Sequence, residues 1–485
     1  MRLSYVAVAM LEGTMALGQP SPPPSSPPVV ATEEALRAHL ASLLADPAMA
    51  GSRVGALVAD VRTGRVLFSL REHEALNPAS NVKLATTAAG LALLGPEYRF
   101  RTVLSGRRVG ATVRGNLYLR GMGDPTLVTE SIHTLCADLR SAGIRQIERG
   151  VIVDDSFFAP PAPAGDPPDA DAAYRASPTA LSLNYNTVRV VVRPGPSEGA
   201  AAEVSVVPDS AYFSTTGQVT TVARGGARVD LRAGPAGPAA EQASLVLSGR
   251  IPLSAAPVEL RRRVPAPALY AGHTLLRVLA RYGIQVTDPT VRAGQTPDGL
   301  ALLASHESDP LSVLIRAVNK VSNNVMADQI LLAIGAEREG APGTFAKGLA
   351  AVGDHLASLG IPRDGFRLAS GSGLDTDTRL SAATLVALLR ASARDFRYAA
   401  DFMASLAVAG ADGTLARRLA ASPAQRYVRA KTGTLQGVVT LSGYVAGPLR
   451  GPLCFAVLCN DVPERADARR VADEFAAALY AYLAR

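Results

Sequence analysis

The sequence predicts an α+β fold that carries a large β-rich insertion. Helix and strand patterns mix in a first folded segment, residues 31–101. Strand-like runs broken by Gly/Pro turns fill residues 102–300. Helical patterns return over 301–485 and close on a strand pair and a terminal helix. At 485 residues the chain exceeds one ordinary hydrophobic core, so two or three domains are expected, with the insertion itself split into two subdomains.

At the start, Arg2 and the apolar run Leu3 to Leu11, with Ala16-Leu17-Gly18 as a small-residue cleavage region, read as a leader for export, although Glu12 interrupts it. PSPPPSSPP at 20–28 is an extended linker, so residues 1–30 are set apart from the folded body. EEALRAHLASLLAD has the spacing of an amphipathic helix, and VGALVADVRTGRVLFSL gives two strands around the turn Arg62-Thr63-Gly64. The loop Asn77-Pro78-Ala79 leads into an apolar helix from about Ser80 to Leu94. Inside the insertion VRGNLYLRGMGDPTL, RGVIVDDSFF, NTVRVVVRPG and LVLSGRIPL read as strands, interrupted by loose tracts from Pro160 and from Ala233. APALYAGHTLLRVLARYGI restores the helical period. VRAKTGTLQGVVTLSGYVAG and PLCFAVLCND form the final strand pair, and the last helix spaces Val471, Phe475, Leu479 and Leu483 to pack on a sheet.

Composition narrows the function. A net charge of +7 spread over the chain, with Arg261 to Arg263 as its densest run, argues against a nucleic-acid partner and suits an anionic cell envelope, with peripheral association. Cys136, Cys454 and Cys459 form no disulfide framework; the last two lie five apart on one strand and face opposite sides as buried thiols. The six histidines show no HxxxH pair, so neither a metal site nor a cofactor is expected, and no later segment reaches the ~20 apolar residues of a membrane span.

Of 49 Lys plus Arg residues only four are lysine: Lys83, Lys320, Lys347 and Lys431. Ser80 and Lys83 stand three apart at a helix start, on one face and within reach of each other. A serine hydroxyl needs a base to become a nucleophile, and a desolvated lysine can be that base where arginine cannot. Taken alone the pair also fits an N-cap serine with a surface lysine. Ser322 and Asn324 place a hydroxyl and an amide at a second helix start, a spacing that by itself equally suits capping. Lys431-Thr432-Gly433-Thr434 sets a cation, two hydroxyls and a glycine on an edge strand, where the glycine lets a peptide approach the backbone.

The order SxxK, SxN, KTG is the triple of the β-lactamases and penicillin-binding proteins. With NPASNVKLATTAAGL, GNLYLRGMGDPTL, SPTALSLNYNTVRVVV, NKVSNNVMADQIL, GSGL at 371–374, AGADGTLARRL and VRAKTGTLQGVVTLSGYV, the chain resembles the D-alanyl-D-alanine carboxypeptidase/endopeptidase family over residues 31–480. These are the class C low-molecular-mass penicillin-binding proteins. The resemblance implies a β-lactamase/transpeptidase-like catalytic domain, an antiparallel sheet flanked by helices with a helical subdomain. It implies a periplasmic or envelope serine DD-peptidase acting on peptidoglycan stem peptides that end in D-Ala-D-Ala, acylated by β-lactam antibiotics. Ser80 would be the nucleophile, Lys83 its base and Ser322 the proton shuttle. Asn324, Lys431, Thr432 and Thr434 would bind substrate, and the backbone N–H groups of Ser80 and Thr434 would form the oxyanion hole.

Three departures stand out. Ser370 precedes GSGL where the family usually has Asp, and Asp375 follows where a small hydroxyl residue is common. The chain has no tryptophan, although relatives often carry it in the segment matching 159–175. Two rivals stay open: a β-lactamase, which would need a deacylating glutamate loop of the ExxLN type that the sequence lacks, and a catalytically silent penicillin-sensing or wall-binding module.

Overall fold

The computed structural model describes residues 32–160, 169–236 and 241–485. The leader, the Pro-rich linker and parts of both loose tracts lie outside the described residues. Strands β1 (Arg53–Asp60), β2 (Val66–Leu70), β3 (Ala407–Val408), β4 (Val428–Leu435), β5 (Val438–Val445) and β6 (Leu453–Asn460) form one antiparallel sheet ordered β3-β4-β5-β6-β1-β2. The expected hairpin turn is present: Asp60 Oδ1 accepts from Thr63 N at 2.6 Å, and Gly64 takes φ +80. β1 joins the last strand of the chain, with Arg53 opposite Asn460 and Asp60 opposite Leu453. The first and last strands of the described residues are therefore neighbours in one sheet.

Every residue of β5 and β6 is buried, because helices cover both faces of the sheet. On one face α1 (Glu33–Leu44) sets Leu36, Leu40 and Leu44 against Val471, Phe475 and Leu479 of the terminal helix α6 (Arg465–Leu483). Each such side chain contributes roughly 1.5–3 kcal/mol by leaving water. On the other face lie α2 (Val82–Leu93), α3 (Leu311–Lys320), α4 (Asn324–Glu339) and α5 (Ala382–Arg394). α2 is buried all round from Val82 to Leu91, as a central helix must be. Cys454 belongs to this second cluster and Cys459 to the first, on opposite faces as the odd spacing requires.

The intervening region is built on a seven-stranded sheet, with Arg101–Val109 and Thr112–Gly121 at its centre, and on two three-stranded sheets. One apolar cluster runs through all three sheets, from Leu104 and Leu117 to Leu231 and Leu247. Its edge strand, Ala301–Glu307, pairs with Arg101–Val109, so the region closes seven residues beyond the expected boundary at 300. A helix at Thr129–Ser141, buried through Ile132, Leu135, Cys136 and Leu139, connects Thr112–Gly121 to the parallel strand Val151–Asp154. The sequence reading names no helix at this βαβ crossover, although its apolar residues have the i, i+3, i+4, i+7 spacing of one.

Candidate active site

The segment NPAS turns sharply before α2. Ala79 adopts φ +46, and a single 3-10 turn, Ala79–Asn81, presents Ser80 ahead of a helix that starts two residues later than expected. Polar side chains of the sheet secure this strained turn. Asn460 on β6 donates to Asn77 O at 3.0 Å and accepts from Asn77 N at 2.8 Å. Thr440 on β5 donates to Pro78 O at 2.9 Å, and Asn81 donates to Ser442 Oγ at 2.8 Å. A Cβ on Gly433 would lie 2.2 Å from Thr440 Oγ1, 2.8 Å from Pro78 O and 3.0 Å from Ala79 Cβ. The glycine of KTG therefore makes room for the turn carrying Ser80.

Lys83 has no solvent exposure, whereas Ser80, Ser322, Asn324 and Thr434 keep partial access. Its Nζ reaches Ser80 Oγ at 2.9 Å, Asn324 Oδ1 at 2.8 Å and the Ser372 carbonyl at 2.5 Å. Burial pushes this amine down to about 7, against the opposing pull of Asp328. A neutral amine has two N–H donors and one lone pair. Asn324 Oδ1 and Ser372 O can only accept, so they occupy the two donors and leave the lone pair to receive the Ser80 hydroxyl proton.

Ser322 sits between α3 and α4 at φ +62, a left-handed conformation that costs an L-residue about 1–2 kcal/mol. Asn323 caps α4 through Met326 N at 3.1 Å, which leaves Asn324 as its first residue; its Nδ2 donates to Tyr174 O at 3.3 Å. Lys431 is also fully buried, and its Nζ donates to Ser322 Oγ at 2.8 Å and to Thr432 O at 2.7 Å. Burial first, and the nearby Lys83 second, push this amine well below the usual lysine range. Thr432 Oγ1 meets Thr414 Oγ1 at 2.8 Å. β3 pairs with β4 only at Arg429 and Ala430, so the outer edge from Lys431 to Leu435 has no strand against it among the described residues. The structure thus brings the side chains of Ser80, Lys83 and Asn324 together, joins those of Ser322 and Lys431, and sets Thr432 and Thr434 along the open edge. Lys320, close in sequence, is held apart by Asp412 at 2.6 Å and Leu406 O at 2.9 Å.

The GSGL loop completes the site. Ser370 Oγ donates to Asp375 Oδ2 at 2.5 Å and accepts from Gly373 N at 2.9 Å. The two departures from the family pattern are thus bonded to each other, with hydroxyl and carboxylate exchanged across the loop. Burial works against the Asp375 carboxylate, but hydrogen bonds from Ser370, Thr378 and Asp377 hold its pKa below the ordinary aspartate value. Two residues escaped the sequence reading: Ser372, which acts through its backbone carbonyl, and Asp328, whose Oδ1 accepts from Gly371 N at 2.9 Å. Asp328 stands four residues after Asn324, on the same face of α4; that spacing was the available signal.

Comparison with known proteins supplies the family. A model of the D-Ala-D-Ala carboxypeptidase 3 (S13) family matches residues 36–480. A D-alanyl-D-alanine carboxypeptidase of Actinomadura sp. (strain R39) is 35% identical over 443 residues, covering 88% of this chain and 81% of its own. The D-alanyl-D-alanine carboxypeptidase DacB of Haemophilus influenzae is 26% identical over 423 residues, covering 84% and 86%. The crystal structure of penicillin binding protein 4 (dacB) from Haemophilus influenzae superposes with a TM-score of 0.78 at 24% identity, over 91% of this chain and 99% of that one, and shares the fold. A chain with the SxxK, SxN and KTG segments gathered at one cleft, and with these relatives, belongs to the D-Ala-D-Ala carboxypeptidase 3 (S13) family and is a serine DD-peptidase.

Proposed function

We propose that Ser80 is the acylated nucleophile of this DD-peptidase, acting on peptidoglycan stem peptides that end in D-Ala-D-Ala. Lys83 Nζ takes the Ser80 hydroxyl proton as Oγ bonds to the carbonyl carbon of the penultimate residue. The N–H groups of Ser80 and Thr434 hold the resulting oxyanion, a contribution worth about 100- to 1000-fold in rate per donor. Collapse breaks the C–N bond, and the proton held by Lys83 reaches the leaving amine through the Ser322 hydroxyl. D-alanine departs; water then attacks the acyl carbon and gives its proton to Lys83, which returns it to Ser80 Oγ as the ester bond breaks. When the leaving amine belongs to a neighbouring stem peptide, the same steps cleave a cross-link. Asn324 grips the substrate backbone. Lys431, with the Thr432 and Thr434 hydroxyls, receives the terminal carboxylate, whose negative charge favours the protonated lysine.

The observation that carries this reading is the set of partners around Lys83 Nζ, which directs a lone pair at Ser80. Residues 31–101 and 301–485 are assigned to one catalytic unit, with the region 102–300, prolonged by its edge strand to 307, set into it. Cross-linked peptidoglycan lies outside the cytoplasmic membrane, so the enzyme acts after export, in the periplasm or cell envelope, where its basic surface supports peripheral association. Among the described residues no helix is long and apolar enough to cross a membrane.

The test has two parts. A fluorescent penicillin should label the protein stoichiometrically and fail to label Ser80→Ala. Release of D-alanine from a peptide ending in D-Ala-D-Ala should accompany it. Labelling without D-alanine release or cross-link cleavage overturns the reading in favour of a penicillin sensor.

A further inference from the structure

We propose that Asp328 is a positioning residue for acylation: its carboxylate holds the Gly371–Ser372 backbone so that the Ser372 carbonyl fixes Lys83 Nζ toward Ser80. This inference rests on Lys83 being the base.

The geometry converges on one peptide segment. Asp328 Oδ1 accepts from Gly371 N at 2.9 Å, and the neighbouring Ser372 N–H and hydroxyl favour its charged form. Across that segment, the Ser372 carbonyl accepts from Lys83 Nζ, and Ser372 is only 1% exposed. Thr86 Oγ1 donates to Gly371 O at 2.8 Å, so α2 and α4 grip the same two residues from both sides. Gly373 closes the third side: at φ +72, a Cβ there would stand 2.1 Å from Ala79 O. The loop cannot shift without moving either the nucleophile turn or the acceptor of Lys83.

The charges around this arrangement can be named. Lys83 faces Asp328 across Ser372, and Lys431 approaches from β4. Asp375, in the same loop, is bonded to Ser370 and Thr378. Arg175 of the inserted segment is paired with Asp169 at 2.9 Å, and Lys320 of α3 with Asp412 at 2.6 Å. Asp328 is therefore the carboxylate that acts on Lys83, and it opposes the loss of the proton that burial favours. Burial also lifts Asp328 itself to about 6, against hydrogen bonds from Ser372 and Gly371 and the charge of Lys83. Its charge is present once the pH passes that value. In this way one side chain both fixes the base and restrains it from being neutral too early.

The experiment measures the rate constant for acylation by a fluorescent penicillin from pH 5 to 9, a quantity independent of the folded fraction. Asp328→Asn keeps the shape and one acceptor but removes the charge. Its acid limb should move down by about one pH unit, because the neutral amine is no longer opposed. Asp328→Ala releases the loop and should slow acylation at least tenfold at every pH, with D-alanine release losing kcat more than KM. A purely structural carboxylate would lower the melting temperature while leaving the rate constant and its pH profile at the parental values; that result overturns the proposal. If both variants fail to fold, Ser372→Ala removes only the hydroxyl that favours the charged form of Asp328, and a parental rate constant and profile there count against the proposal while slowed acylation supports it. Lys83→Arg runs in parallel. If it acylates normally, the base assignment fails. If it is inactive while the Asp328 variants behave as the parent, only the inference about Asp328 fails.

Discussion

Replacing Lys83 by arginine keeps a positive charge and approximate reach but removes the capacity to act as a base. With its pKa pushed down to about 7, Lys83 is neutral about half of the time at pH 7. An unperturbed lysine would be neutral about one time in 2500, and an arginine at most about one time in 300,000. Burial thus raises the working fraction of base by about three orders of magnitude, and Lys83→Arg removes it altogether. A positioned general base contributes typically 10²–10⁴-fold, so the acylation rate constant at pH 7 should fall by at least ~100-fold. The assay is stopped-flow or quench labelling with a fluorescent penicillin from pH 5 to 9. In the parent the rate should rise about tenfold per pH unit below about 7 and level off above it, because the neutral amine is the active form. The variant should lose that acid limb. An arginine variant that acylates within tenfold of the parent and keeps an acid limb near 7 would show that another group takes the Ser80 proton.

Other outcomes follow from the packing around the site. Gly433→Ala places a Cβ 2.2 Å from Thr440 Oγ1, so it should destabilise the protein by about 1–3 kcal/mol and slow acylation; adding Thr440→Ala should recover part of the loss in thermal melts. Ser370→Asp sets a second carboxylate beside Asp375 and should lower the melting temperature at neutral pH, whereas Ser370→Asp with Asp375→Ser restores one hydroxyl and one carboxylate and should couple favourably by about 0.5–3 kcal/mol. Cys136, Cys454 and Cys459 are buried, with thiols pushed up to about 12 by that burial, so iodoacetamide at pH 8 should modify none of them in the native protein and all of them after unfolding.

Legibility in the sequence followed the range of each interaction. The hairpin at 53–70 and the terminal helix announce themselves through turn residues and short periods, and the structure has them where their patterns stand, whereas the run read as one strand of a final pair folds back at Gln436-Gly437 into β4 and β5. Ser80 and Lys83 were legible for the same reason, since three residues of helix bring them together. Their remaining partners come from far along the chain: Asn324 and Ser372 reach Lys83 across 241 and 289 residues, and no local period records such a meeting. The SxN and KTG segments were found because their residue types recur together in a known family. Ser372 was missed because it contributes a carbonyl, which every residue possesses. Gly433 was noticed, but the room it makes for the turn carrying Ser80 was not, because sequence alone does not say which parts of the chain a small residue lets approach. The helix at Thr129–Ser141 is a different case: its period was present and was passed over amid strand-like neighbours.

The same long-range geometry explains why position 431 holds lysine, which charge alone does not require. Its side chain has no solvent exposure and ends between the Ser322 hydroxyl and the Thr432 carbonyl. A guanidinium there would bring five N–H donors where two acceptors wait, and it would stay charged beside Lys83. An amine fits the two bonds, and burial first and Lys83 second push it well below the usual lysine range. Two buried cations separated by a few bonded groups repel strongly in a medium of low polarity. An amine at each position can respond to that repulsion by a lowered pKa, which a guanidinium cannot do. Of the four lysines in a chain that mostly uses arginine for positive charge, the two that are fully buried are Lys83 and Lys431, both at this site.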